Sequence, residues 1–177
     1  MRECGGCNLC CKVIAVDALE KPAGVWCKHA LPGQGCTIYG SHPDECKTFM
    51  CGWLTTPELG DEWKPSTARF AIRVTGKATY IHVDPSYPGA WKKPRYYSAL
   101  KKRSEAMWTN SGQIIVYDLD GVTVLFPEED IAIGSITPGD VLHAGYRASP
   151  LTRQPYVRVV PKGGAERERR GAIYPNR

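Results

Sequence analysis

Eight cysteines, Cys4, Cys7, Cys10, Cys11, Cys27, Cys36, Cys46 and Cys51, stand in the first 51 residues of this 177-residue chain, and none in the remaining 126. That stretch is rich in glycine and proline and has no long periodic apolar run. It is expected to be loop-rich, with short helical turns, and held by staples between side chains rather than by a hydrophobic core. What the staples are depends on compartment. Arg2 is followed by no apolar run of about 7 to 15 residues ending at a small-residue cleavage site, so a cytoplasmic location is expected. Cytosolic thiols stay reduced, and there clustered cysteines point to metal or redox chemistry rather than to disulfides. Four disulfides are the alternative, one that would require a strained bridge if Cys10 and Cys11 were joined to each other.

The run CGGCNLCC contains two overlapping CxxC units that share Cys7, with Cys11 added next to Cys10. CxxC lets two thiolates meet one metal, because a tight turn carrying glycine brings both sulfurs to about 2.3 Å from it. Downstream, WCKHA, GCTIYG and PDECKTFMC supply four more thiols and a candidate imidazole at His29, and His42, just before Pro43, is a second. All eight cysteines are therefore candidate ligands. Cys27 and Cys51 are the first to be spared should some of the eight be buried packers. A lone histidine is more often a surface residue than a ligand, whereas His82 and His143 read as strand or loop residues.

CxxCxxCC, a further cysteine, then Cys36-Thr37-Ile38-Tyr39, Pro43-Asp44-Glu45-Cys46 and a last cysteine at Cys51 together resemble the zinc- or iron-chelating CxxCxxCC family of bacterial proteins, the YkgJ type. The resemblance covers residues 1–54. It implies metal chelation by the matching cysteines and, for some relatives, an iron-sulfur cluster attached to an enzyme that modifies protein lysines. The chain departs from the family pattern at IYGSHP, where His42 replaces the usual arginine before Pro43.

Zinc would use eight thiolates as two Cys4 tetrahedra, or as one cluster with bridging sulfurs. A 4Fe-4S cluster would take three ligands from CxxCxxC and a fourth from a distant cysteine near a proline, a role that Cys46 fits. Soft thiolates suit both, and the spacing does not choose between zinc and an iron-sulfur cluster.

After Lys64-Pro65 the pattern turns to β-type alternation. ARFAIRVTG and KATYIHVD predict a hairpin turning at Thr75-Gly76-Lys77, and QIIVYDLDGVTVLFP predicts a second turning at Asp120-Gly121. Between them, RYYSALKKRSEAMW after Pro94 predicts a helix with Tyr96, Tyr97, Leu100, Met107 and Trp108 on one face. GDVLHAGY and PYVRVV read as further short strands, and GGAERERRGAIYPNR as a charged, poorly ordered tail. The expected fold class is α+β: a cysteine-bound, loop-rich N-terminal module over residues 1–60, a small antiparallel sheet of two hairpins with one main helix (ββ-α-ββ) over 61–160, and the tail over 161–177.

An apolar fraction of 42% with 23% charged residues is that of a soluble globular protein, and no run approaches the ~20 apolar residues of a membrane span. The net charge of +5 is concentrated in residues 61–110, where ten Lys/Arg face four Asp/Glu. There Trp91, Tyr96 and Tyr97 interleave with Lys92, Lys93, Arg95, Lys101, Lys102 and Arg103, a composition able to hold phosphate and stack bases. The bland reading is a helix with aromatics inward and cations in solvent. Asp118-Leu119-Asp120-Gly121 lacks the later ligands of a calcium loop. The three carboxylates of 128–130 suit a helix N-terminus. With no nucleophile-and-base pair and no nucleotide fingerprint, the chain reads as a metal-binding protein with a structural or metal-handling role. The alternatives are an iron-sulfur-dependent redox or protein-modifying enzyme and a nucleic-acid adaptor using the basic helix. The partners expected are a metal ion or cluster and a protein, without a membrane.

Overall fold

The structure, a computed structural model, describes residues 2–176. Its cysteine-bearing N-terminal part is built of turns and very short elements: α1 (Cys10–Val13), the strand pair β1 (Ala30–Leu31) and β2 (Gly35–Cys36), α2 (Asp44–Thr48) and α3 (Gly52–Thr55). No helix here exceeds five residues, too short for a helix to persist on its own hydrogen bonds. The absence of periodicity in the sequence is thus matched by local structure that depends on side-chain ties.

The β-rich part starts at α4 (Pro65–Ala68), which carries proline in its first turn and ends at Arg69 in the left-handed region. β3 (Phe70–Thr75) and β4 (Ala78–Val83) form the expected hairpin, with Gly76 at φ +56 in its turn. The expected helix is α5 (Pro94–Thr109), followed by the second hairpin of β5 (Gln113–Asp118) and β6 (Gly121–Leu125). α5 returns the chain so that β5 runs parallel to β4, and this pair joins the two hairpins into one sheet. A fifth strand, β7 (Asp130–Gly134), completes the order β3-β4-β5-β6-β7.

β8 (Val141–Ala148) and β9 (Thr152–Val160) pair along their whole length to form a second, antiparallel sheet. The segment expected to be a poorly ordered tail adds β10 (Arg167–Arg170) and β11 (Tyr174–Pro175) to β9. Its charges find partners there: Glu168 accepts from both Arg147 and Arg170. The carboxylates of 128–130 precede a strand rather than a helix, and all three have partners. Glu128 binds Arg153 and the Tyr146 hydroxyl, Glu129 the amide of Ala172, and Asp130 the Lys101 ammonium and the Tyr97 hydroxyl.

Two apolar clusters lie on opposite faces of the five-stranded sheet. On one, Phe70, Ile72, Ile81, Ile114 and Val116 pack against α5 through Tyr96 and Leu100 and against Trp53 and Trp63. Phe70, Tyr96 and Trp63 meet edge to face, with centroids 5.0 to 6.0 Å apart, the arrangement favoured by aromatic quadrupoles. On the other face, Ile115, Val122, Val124, Ile131 and Ile133 pack against Val157 and Val159 of β9. The N-terminal part lies along β3. Cys51 bridges to Arg73, and Leu9 and Val13 pack on Ala71. It thereby covers an edge that would otherwise expose unpaired backbone.

Candidate metal centre

The two glycines of CGGC have different jobs. Gly5 takes φ +50, while a Cβ at Gly6 would come within 2.3 Å of the Gly33 carbonyl oxygen. Gly6 is what lets the β1–β2 turn lie against the first knuckle. Between the next two cysteines, buried Asn8 holds the same turn. Its amide donates to the carbonyls of Leu31 (2.9 Å) and Gly35 (3.1 Å), and its oxygen accepts from the Gly33 amide (3.3 Å). The amide of Cys7 bonds back to the carbonyl of Cys4 at 2.8 Å, closing the turn on which the first two thiols sit.

Cys10 and Cys11 open α1, so their side chains leave the helix about 100° apart. The Cys27 amide donates to the Cys11 carbonyl at 3.0 Å, which ties the second half of the module to this helix. Cys36 lies on β2 opposite Ala30, Cys46 on α2, and Cys51 immediately before α3. Gly52 is required at that last position, because a Cβ would meet the Ile72 side chain at 2.8 Å. These elements turn all eight cysteines toward one cavity of about 420 Å³. Cys27 and Cys51, the expected spares, both line it.

All eight are free thiols, none paired as a disulfide. Among the described residues no three His, Cys, Asp or Glu side chains converge closely enough to hold a single metal ion. The thiols thus share a cavity without being drawn in to one point. Of the two candidate imidazoles, His42 lines the cavity and His29 does not. His42 stacks on Tyr39, with centroids 5.2 Å apart, and its Nδ1 accepts the Gly40 amide, so Nε2 is the atom left to face a metal. The Cys27 sulfur accepts the amide of His29 at 3.5 Å.

Two buried lysines that sequence reasoning passed over frame the site. Lys12, next to Cys11, donates to Asp84 at 2.5 Å and to Ser86 at 2.7 Å, fastening α1 to the chain beyond β4. Lys21 donates to the carbonyls of Lys12, Ile14 and Pro22. Burial lowers its pKa, and the thiols of Cys27, Cys11 and Cys46 oppose that shift. The only sequence signal is the position of Lys12, next to Cys11; Lys21 stands between Cys11 and Cys27 with no local signal. Arg2 closes the module from the other end, donating to the carbonyls of Trp53, Thr56 and Pro57.

The thiols are electrostatically unequal. A hydrogen bond from the Cys10 thiol, helped by the Lys21 ammonium, brings Cys11 down to about 7 against the effect of burial. The same bond, with burial, pushes Cys10 up. Burial raises Cys4, Cys46 and Cys51, and in each case neighbouring thiols add to the rise. Mutual repulsion among thiolates is relieved when a cation binds between them, and this is the electrostatic basis of a thiolate metal site.

Trp91 is 1% and Tyr96 0% exposed, so neither ring can stack a base, and Lys101 is committed to Asp130 and the Phe126 carbonyl. The Asp118 carboxylate accepts from the Gly89 amide and the Trp91 indole, a structural role at the hairpin turn rather than calcium ligation. His82 and His143 lie on β4 and β8. Among the described residues no helix is long and apolar enough to cross a membrane.

An α+β chain with its cysteines gathered round one cavity is the class that fold and site define. Comparison with models of known families, with curated proteins and with solved structures finds no match.

Proposed function

We propose that this chain is a metal-binding protein in which thiolates of Cys4, Cys7, Cys10, Cys11, Cys27, Cys36, Cys46 and Cys51 hold zinc or an iron-sulfur cluster, and that the metal completes the fold of the N-terminal module. The observation that carries this reading is that all eight thiols line one cavity although they come from six separate local elements. Thiols meant only for packing would be scattered through the apolar clusters, whereas among these eight only Cys51 belongs to one.

The donor set is all thiolate, which suits zinc and iron-sulfur clusters alike. At about 420 Å³ the cavity has room for more than one metal ion. Such a cluster would supply electron transfer or a structural anchor, and the ring of cysteines would hold it. The resemblance of residues 1–54 to the CxxCxxCC family agrees with this chemistry. A cytoplasmic setting, where thiols stay reduced, suits it as well.

The test is anaerobic purification of the full chain, followed by elemental analysis, acid-labile sulfide determination and a visible spectrum. Zinc with no visible absorbance selects closed tetrathiolate sites. Iron with sulfide and a brown chromophore selects the cluster. A chain that retains no metal, and takes up neither zinc nor iron with sulfide when reconstituted, contradicts the proposal.

A further inference from the structure

We infer that the eight thiols divide into two centres of four, with Cys4, Cys7, Cys10 and Cys51 forming one and Cys11, Cys27, Cys36 and Cys46 the other, the boundary falling between the adjacent residues Cys10 and Cys11. This division rests on the metal-binding reading above and says which cysteines share a metal. Two observations carry it.

First, the cavity has a side recess of about 10 Å³ that Cys4, Cys7, Cys10 and Cys51 line without the other four. Its remaining walls are Leu9, Trp53, Leu54 and Pro65, an apolar setting at the lower size limit for one water. Second, the backbone ties follow the same division. Cys4 and Cys7 share a closed turn, and Cys51 is held beside them where Arg2 binds the carbonyls of Trp53 and Thr56. On the other side, Cys27 is bonded to the Cys11 carbonyl, and the Thr37 amide next to Cys36 bonds to the His29 carbonyl two residues beyond Cys27.

The two centres have unlike surroundings. The first is walled by apolar side chains next to Trp53. The second lies on the side of buried Lys21, which donates to the carbonyls of Lys12 and Ile14 just after Cys11, a cation that offsets the negative charge of a tetrathiolate metal site.

The experiment uses the full chain, reduced, stripped of metal, loaded anaerobically with zinc and freed of excess, with zinc per chain measured by elemental analysis. Cys4, Cys36 and Cys46 are not buried, so their replacement by serine leaves the packed clusters intact, and tryptophan fluorescence verifies that the β layers stay folded. The unmodified chain is expected to hold two zinc ions, and Cys4→Ser or Cys36→Ser one. Cys36→Ser with Cys46→Ser is expected to hold one, no fewer than Cys36→Ser alone, whereas Cys4→Ser with Cys36→Ser loses both. Equal losses in the two double variants, or full loss in every single variant, would overturn the division in favour of one shared centre. If the unmodified chain holds neither zinc nor reconstituted iron, the metal-binding reading itself fails, a result seen before any variant is made.

Discussion

The two halves of this molecule solve the same problem by different means. The β layers bury whole faces of large apolar side chains: Phe70, Ile81, Ile114, Val116, Val124 and Val157 are each 0% exposed. Among the described residues, the cysteine-bearing part has only Leu9, Val13 and Val16 as buried aliphatics, and it places buried Asn8, Lys12 and Lys21 where a core would be. At about 25 cal/mol per Å² of apolar area, three aliphatics cannot order some fifty residues against the entropy of the chain. Polar clamps fix the direction of each knuckle, and in the proposed reading a bound metal supplies the remaining free energy. The lesson is that a thiol-rich segment can be determined in shape by polar clamps with little apolar burial of its own.

The contrast can be broken most severely from the β side. Phe70→Ala removes an aromatic that meets both Trp63 and Tyr96, and it should cost about 3 to 5 kcal/mol in denaturant unfolding whether or not metal is present. Lys12→Ala acts at the join of the two halves. It leaves the Asp84 carboxylate buried, and because that group keeps the Ser86 amide at 2.9 Å the loss should sit at the lower end for a broken buried pair, about 3 kcal/mol. An Asp84→Asn, Lys12→Met double variant that recovers most of this loss would show that the unpaired charge is responsible.

A pH titration sharpens the comparison on the β side alone. Burial, with Arg73 nearby, lowers His82 to about 4 from its ordinary 6.5. Between those values the unfolded chain binds the proton and the folded chain does not. Stability is therefore fully present above about 6.5 and falls as the pH drops towards 4, by at most about 1.4 kcal/mol per pH unit. His82→Gln should flatten that slope without changing metal content; an unchanged slope would assign it to other groups. The smallest effect is expected from Asn8→Ala, about 1 kcal/mol, read as easier removal of metal by a chelator with no change in β-layer unfolding.

The sequence made the β half legible where periodicity is local. The two hairpins announced themselves through alternation around Gly76 and Gly121, and α5 through the spacing of Tyr96, Leu100 and Met107. The parallel joining of β4 to β5 was not legible, because register between strands separated by a helix is set by packing rather than by a turn. β10 was hidden for a different reason. Arg167-Glu168-Arg169-Arg170 looks like a solvated run, yet it is a strand whose backbone pairs with β9 and whose Glu168 accepts from Arg147 of β8. In the candidate site the cysteines were legible by spacing. Asn8, Lys12 and Lys21 were not, since nothing local distinguishes a clamping lysine from a solvated one.

Hydrogen exchange of the full chain, recorded with bound metal and again after chelation under reducing conditions, tests the central contrast most directly. The account predicts that residues 4–51 lose protection on chelation while β3 to β6 keep theirs. Protection of residues 4–51 that is unchanged by chelation would contradict it, since the module would then be shown to fold without metal.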